Sequence, residues 1–545
     1  MAGASSGDSI AARTLVREQT SAVRPGFSVP AERRQSLSPL LELAAGLGVP
    51  RVARDSSAAD VLAAAPGVET LRAWAAIRLP PGMRVSRADL LTRLGEDVAA
   101  IDLALGLQVD AILHAPKFQA IESSWRGLQW LVGQALQAND DGDGPGKVEV
   151  RLLSVTKREL ARDQGSAVEF DRSQLWRKVY EEEFGTAGGT PYGLLVTDHE
   201  FSHHPDDVSL LAGLSEVAMA AFAPLLASPK AELLGLDSLT QLEMLPPPEV
   251  RQRSPDYVKW RALRERDESR FIGMPLPRVL GRRAYDGWID RPEAEATFES
   301  SWERRGFRYR EEVDQADGSG RLWMSAVWPM AGVVIREFGR SGWFADIRGG
   351  SRGMAIGGVV DGLPVDQFAG LDGGSVVRGP TEVFVTDDVH EELDWAGLIP
   401  LHGTGPDGRA VFQSNASLHQ AKRYDSPAAT ANARISSMLQ YVLCVSRIAQ
   451  YLKLIARDKL GSFTEAPEFQ RFLSDWVNRY VTPDDQASAE TRAKMPLRAA
   501  QVEVRDEPGT AGAYRVVMRL QPHFQLDGLD ATLRLVSTVR RAETR

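Results

Sequence analysis

Apolar side chains recur with helical spacing from residue 90 onward. Leu90, Leu94, Val98, Ile101 and Leu105 are separated by four, four, three and four positions, which places them on one helix face. Ser86 or Asp89 stands where the cap is expected. A second stripe, Phe118, Ile121, Trp125, Leu128 and Val132, keeps this spacing until Asn139-Asp140-Asp141-Gly142 stops it, and the two helices are expected to pair. Residues 148–155 then read as a strand, 173–184 as a helix, 192–197 as a strand and 207–226 as a helix, an alternation that predicts a mixed α/β layer. Prolines at 246, 247, 248, 275 and 277, with glycines through 339–379, predict short strands and long loops, expected as an inserted or outer domain. Order returns with a strand at 382–386, helices at 428–459 and 468–480, and strands at 500–505, 514–521 and 532–536 whose period of two predicts a terminal antiparallel sheet.

The expected fold class is α+β or mixed α/β and multidomain. Its regions are a variable arm with short helices (1–85), a helical and α/β region (86–245), an irregular Pro/Gly-rich insertion (246–380) and a C-terminal region (381–545). Length supports this, because 545 residues exceed what one core serves. Acidic residues outnumber basic ones, 73 to 64, which gives nucleic acid no broad reason to bind. One cysteine, Cys444, excludes an intramolecular disulfide and a Cys-rich zinc site; it is expected buried as a small hydrophobe in a reduced, cytoplasmic protein. No secretory signal is read at the N-terminus, and uncharged runs of at most 14 residues are too short to span a membrane.

The short motifs each carry a bland alternative. His199-Glu200-Phe201-Ser202-His203 matches H-E-x-x-H, the basis of a distant zinc-hydrolase reading, but that chemistry needs a helix and the motif follows a strand and runs into His204-Pro205. Gly349-Gly350-Ser351-Arg352-Gly353 lacks the helix a nucleophile elbow requires. The Gly-rich loop 185–190 lies between helix and strand, the reverse of a phosphate cradle. Asp387, Asp388, His390, Glu391 and Glu392 fit a capped helix start as well as a metal site, with Asp387 or Asp388 as cap. Glu181, Glu182 and Glu183 diverge by about 100° per residue on a helix and do not converge on a substrate. The stretch 438–459 differs: an apolar stripe (Met438, Tyr441, Val445, Ile448, Leu452, Ile455) runs beside Arg447, Lys453, Arg457 and Lys459, which points either to a solvated face or to docking on an acidic partner.

Phe118-Gln119-Ala120-Ile121-Glu122-Ser123-Ser124-Trp125-Arg126-Gly127-Leu128 resembles the F-Q-x-x-E-x-x-W-R-G-L signature of the large sheath subunit of type VI secretion systems, the TssC (VipB, EvpB) family. Segments matching the family follow in order: residues 168–175, 178–186, 188–193, 277–280, 380–383, 457–459, 496–500 and 522–525. The chain departs from the pattern at Gln450, where the family has histidine in R-F-A-H-Y-L-K, and at His199, where it tends to have tyrosine. The resemblance implies a contractile-sheath fold and a structural, non-catalytic role without cofactor or metal. It further implies pairing with a small sheath subunit (TssB, VipA) and self-assembly into a cytoplasmic helical filament. That filament surrounds an inner tube of Hcp hexamers, stands on a membrane-anchored baseplate without itself entering the membrane, and is disassembled by a ClpV-type AAA+ ATPase. A sheath-like paralogue acting as baseplate or adaptor is the alternative. The terminal strands, through Tyr514, Val516, Met518, Leu520, Leu533 and Leu535, are expected to link subunits, and the Arg447, Lys453, Arg457 and Lys459 helix to lie near the tube-facing side.

Overall fold

Two helices, α1 (Val68–Arg78) and α2 (Arg87–Leu113), open the described part of the chain in this computed structural model. The described residues are 68–79, 85–140, 147–167, 169–186, 188–245, 254–290, 305–314, 318–350, 357–369, 375–405, 407–422, 424–459, 466–484, 487–506, 514–523 and 533–539. Residues 1–67 and 80–84 of the expected N-terminal arm and Ser351 of the G-x-S-x-G match lie outside them. The chain divides into two units, one of Met1–Ala111 with Asp286–Arg310, the other of Ile112–Tyr285 with Glu311–Arg545.

In the first unit the Ser86 hydroxyl accepts from the Asp89 amide at 3.1 Å and caps α2. The Asp97 carboxylate on α2 accepts from Trp74 Nε1 (2.9 Å) and Arg78 Nε (2.7 Å) of α1, which ties the helices together. A hairpin of Asp286–Asp290 and Arg305–Arg310 completes the unit, with Tyr309 buried and its hydroxyl donating to Asp110. No side chain of α2 is buried, and Val98 and Ile101 of the expected apolar stripe are exposed.

The second unit begins with α3 (Pro116–Asp140), followed by an extended run and α4 (Lys157–Ser166). Thr156 and Glu159 form a reciprocal capping box at the start of α4. Next come β1 (Leu195–Phe201), α5 (Pro205–Ala221), β2 (Leu225–Pro229) and β3 (Ile272–Gly273), and the three strands pair in parallel in that order. The helix expected over 207–226 therefore stops at Ala221. Phe222 takes a left-handed conformation (φ 52°), and the apolar run continues as a fully buried strand, a case in which hydrophobicity alone does not separate helix from strand. Residues 148–155 are extended but pair with no strand among the described residues. The strand expected at 382–386 does not form: one bridge, Val279 with Thr381, precedes that stretch and a helix at Asp387–Trp395 follows it.

Residues 246–380, expected as an outer insertion, supply α6 (Val327–Ser341), whose Val327, Met330, Ala331, Val333 and Val334 are buried in the core. Prolines and glycines in this stretch mark loops around a buried helix; they say nothing of distance from the core. Glycines set how closely α6 meets α3. A Cβ at Gly127 would stand 2.2 Å from Trp328 Nε1, one at Gly332 2.4 Å from the Trp130 ring, and one at Gly339 2.8 Å from the Ala138 Cβ. Each tryptophan lies where the opposing helix has no side chain.

The helix expected over 428–459 breaks at Ser437 and Met438 into Pro427–Ser436 and α7 (Leu439–Lys459). Leu439, Leu443 and Cys444 of α7 belong to the core with α6, while Ile448, Ala449 and Leu452 belong to a further core. There α8 (Ala466–Asn478) packs Phe469, Leu473 and Val477 against the antiparallel sheet of β4 (Leu497–Asp506), β5 (Tyr514–Pro522) and β6 (Leu533–Val539). This sheet matches the terminal strands expected from alternation.

The Gly127→Ala variant is expected to lose about 2 kcal/mol or more, read as a lowered Tm, because the methyl group overlaps the Trp328 ring. Burial pushes the carboxyl of Glu337 on α6 up to about 7 against the pull of Arg340, with Asp346 adding to the rise. An acid whose folded pKa is raised stabilises the fold at low pH and loses that stability as pH climbs from about 4.5 through about 7. Glu337→Gln is therefore expected to unfold at higher temperature than the parent at pH 8 and to lose this advantage at pH 5.

Candidate functional site

The segment 118–128 occupies the first half of α3 and divides into two faces. On the inner face, Glu122 Oε1 accepts from Arg282 Nε (2.8 Å) and from Arg126 Nε (2.7 Å). Arg282 reaches on to Glu311 through Nη1 (2.5 Å) and Nη2 (3.0 Å), and the other guanidinium, Arg126, donates to the Tyr285 hydroxyl (2.9 Å). Burial opposes ionisation of Glu122, but Arg282 and Arg126 outweigh it and hold the carboxyl below its ordinary range. Arg282 and Glu311 are almost wholly buried, so the network fixes the rotation of α3.

The outer face is apolar. Phe118, Ile121, Trp125, Val132 and Leu136 follow one another at helical spacing, and Ile121, Trp125 and Leu136 are each about 60% exposed. Large apolar side chains in such a row mark a surface that another molecule covers. The glycine contacts and the carboxylate network occupy the opposite, inner face of α3.

The other motifs do not assemble a reaction centre. His199 lies in β1, with Nε2 3.1 Å from the Val155 carbonyl, whereas His203 Nδ1 is 2.8 Å from the Glu232 carbonyl and its ring stacks on Tyr257. No three side chains of the described residues converge as metal ligands. The Gly-rich loop follows a helix C-terminus, where Arg457 Nη1 donates to the Phe184 and Thr186 carbonyls, so it presents acceptors where a phosphate needs donors. Thr386, one residue before the expected caps, accepts from the Val389 amide, and His390 Nδ1 meets His402 Nε2 at 2.8 Å. Cys444 is buried, and burial pushes its thiol up to about 12.

Residues 95–419 match the family described as EvpB/VC_A0108, tail sheath N-terminal domain, and residues 428–539 its tail sheath gpW/gp25-like domain. The chain is also 37% identical over 460 residues to the type VI secretion system sheath protein TssC1 of Pseudomonas aeruginosa, covering 84% of this chain and 87% of that protein. The chain belongs to the TssC/VipB/EvpB sheath family. Two family domains meet in the stretch before the Pro427–Ser436 helix, so the first carries α3 and the outward stripe and the second carries α7 and the terminal sheet.

Within this sheath protein three cations of α7, Arg447, Lys453 and Arg457, are engaged by the chain itself. Lys453 Nζ donates to the Tyr180 hydroxyl at 3.0 Å and lies 4.6 Å from the Phe222 ring centroid. Arg447 sits 4.6 Å from the Tyr451 ring and 5.4 Å from that of Phe338. Arg457 is exposed while capping the carbonyls named above; Lys459 closes the helix. Tyr514, Val516, Met518 and Leu520 lie on β5, the central strand, with side chains in the chain's own core, whereas Leu533 and Leu535 lie on β6 at a sheet edge. The opposite edge, β4, is partly covered: Gln470 Oε1 accepts from the Val504 amide, and Leu497 bridges to Val481.

Sequence reasoning passed over Arg282 and Glu311, which lie outside the quoted signature, and noted Gln450 only as a departure. Gln450 is fully buried, and its Nε2 donates to the carbonyls of Tyr192 (2.6 Å) and Phe222 (2.8 Å), joining α7 to the approach of β1 and the end of α5. Gln450→Leu is expected to cost about 2 kcal/mol by stranding these carbonyls, with Gln450→His recovering part of the loss in a thermal melt.

Proposed function

We propose that this chain is the large subunit of a type VI secretion contractile sheath, copolymerising with a small sheath subunit into a cytoplasmic filament around an inner tube of Hcp hexamers. The filament stands on a membrane-anchored baseplate, contracts to propel the tube, and is recycled by a ClpV-type ATPase. The observation that carries the reading is the outward apolar stripe on α3, held rigidly in a chain of the sheath family. A subunit built to be covered by neighbours leaves such a face open when alone. The β6 edge supports the reading as well, because β6 pairs with β5 alone among the described residues and an open edge accepts a strand from another subunit. The role requires no cofactor and no catalytic step; contraction draws on the difference between two packings of one subunit, summed along the filament. Charge reversal at Arg447, Lys453 or Arg457, expected near the tube, breaks contacts inside the chain and tests stability before it tests docking.

Co-expression with the candidate small subunit from the same genome, followed by electron microscopy of the pellet, tests the proposal. Hollow tubes are expected; a discrete complex without tubes assigns the chain to the adaptor reading instead. Trp125→Glu and Ile121→Asp are expected to abolish tubes while changing the stability of the isolated chain by no more than about 0.5 kcal/mol, since both side chains face solvent.

A further inference from the structure

The extended run between α3 and α4 is held in a strand-like course without a ladder. At its start Asn139 clamps the main chain of Val148, its Nδ2 donating to the Val148 carbonyl (3.0 Å) and its Oδ1 accepting from the Val148 amide (2.8 Å). Further along, Arg151 donates to Thr190 Oγ1 (2.9 Å), His199 Nε2 meets the Val155 carbonyl (3.1 Å) and Lys157 Nζ donates to the Glu200 carbonyl (2.5 Å). Partner numbers rise together, so the run travels parallel to β1, and β1 is an edge strand of its sheet. These links go through side chains. Between Glu149 and Ser154 the main chain makes no hydrogen bond to any described residue.

The side chains show the same incompleteness. Val148 and Val150 turn partly inward, and regular alternation would turn Leu152 inward too, yet Leu152 is 62% exposed and its neighbour Leu153 48%. Successive strand residues face opposite sides, so both faces of the run are bare here. Six residues whose donors and acceptors pair with no described residue, two exposed leucines among them, are complementary to one kind of occupant: an extended main chain carrying apolar side chains at alternate positions. A helix has no free ladder groups to offer, and a small ligand cannot follow six residues.

We propose that residues 149–154 accept a β-strand from a second polypeptide, and that this polypeptide is the small sheath subunit. The inference deepens the sheath reading and rests on it; it names a contact apart from the α3 stripe and the terminal sheet. Covering the two exposed leucines favours one register over a one-residue slip.

Amide hydrogen exchange of the full chain, alone and in complex with the co-expressed small subunit, tests it. Amides between Glu149 and Ser154 are expected to exchange at least tenfold more slowly in the complex, at alternate positions. Unchanged exchange in a complex that forms overturns this inference and leaves the sheath reading standing, whereas absence of any complex overturns both. Leu152→Pro and Leu153→Pro give a second readout, because their amides point to opposite sides of the run. One of the two is expected to weaken the complex tenfold or more with the free chain's Tm unchanged; equal affinity of both variants and the parent overturns the inference.

Discussion

The rotation of α3 is the constraint on which the recognition surface depends. Gly127 admits the Trp328 ring, Gly332 admits Trp130, and the Glu122–Arg282–Glu311 network closes the same side. A helix has one inner face, and here it is filled by close backbone approach and buried charge, interactions that tolerate little shift in angle or register. The apolar side chains at the remaining positions have nowhere to turn but outward. The position of Asn139 near the end of α3, and with it the anchored start of the 148–155 run, follows from the same placement.

A second long helix distributes that rigidity. Leu439 and Leu443 of α7 lie in the core with α6, Ile448 and Leu452 lie in the core under the terminal sheet, and Gln450 binds carbonyls at the end of α5. Its cations serve this role: Lys453 among Tyr180, Phe184 and Phe222, and Arg447 over Tyr451, join elements by cation–π and hydrogen-bond contacts that salt screens less than exposed pairs. No break falls in α7 between its two sets of core contacts, so the two cores share one continuous element.

Periodicity located α2, α3, α8 and the terminal strands, since each signal lies within one short window. It did not say which face of α3 is buried. That choice is made by Gly332, Trp328 and Arg282, some 160 to 200 residues away in the chain, and a glycine that receives a ring looks in sequence like any other glycine. Residues 148–155 had the composition of a strand, but a strand is defined by its pairing, and nothing in the window reports that no described strand lies in ladder with it. The H-E-x-x-H match illustrates the converse: the spacing was present, but its first three residues lie in β1, where the helical geometry that gives the spacing its meaning is absent. The family signature carried more than its letters showed, because Glu122, Arg126 and Gly127 serve the interior while Phe118, Ile121 and Trp125 serve the exterior.

On the sheath reading, this division has a mechanical reason. A contact that transmits rotation between subunits has to sit on an element that does not yield, or the work goes into deforming the subunit. Mounting the apolar residues on a helix locked by buried charge and interlocking tryptophans places compliance outside the subunit, between bodies. Each exposed aromatic or aliphatic side chain contributes about 1.5–3 kcal/mol when buried, so one interface remains modest while a filament adds the gain at every copy. An apolar stripe on a mobile loop would bind equally well and transmit little, and for that reason the rigid inner face of α3 matters as much to the proposed role as the exposed outer one.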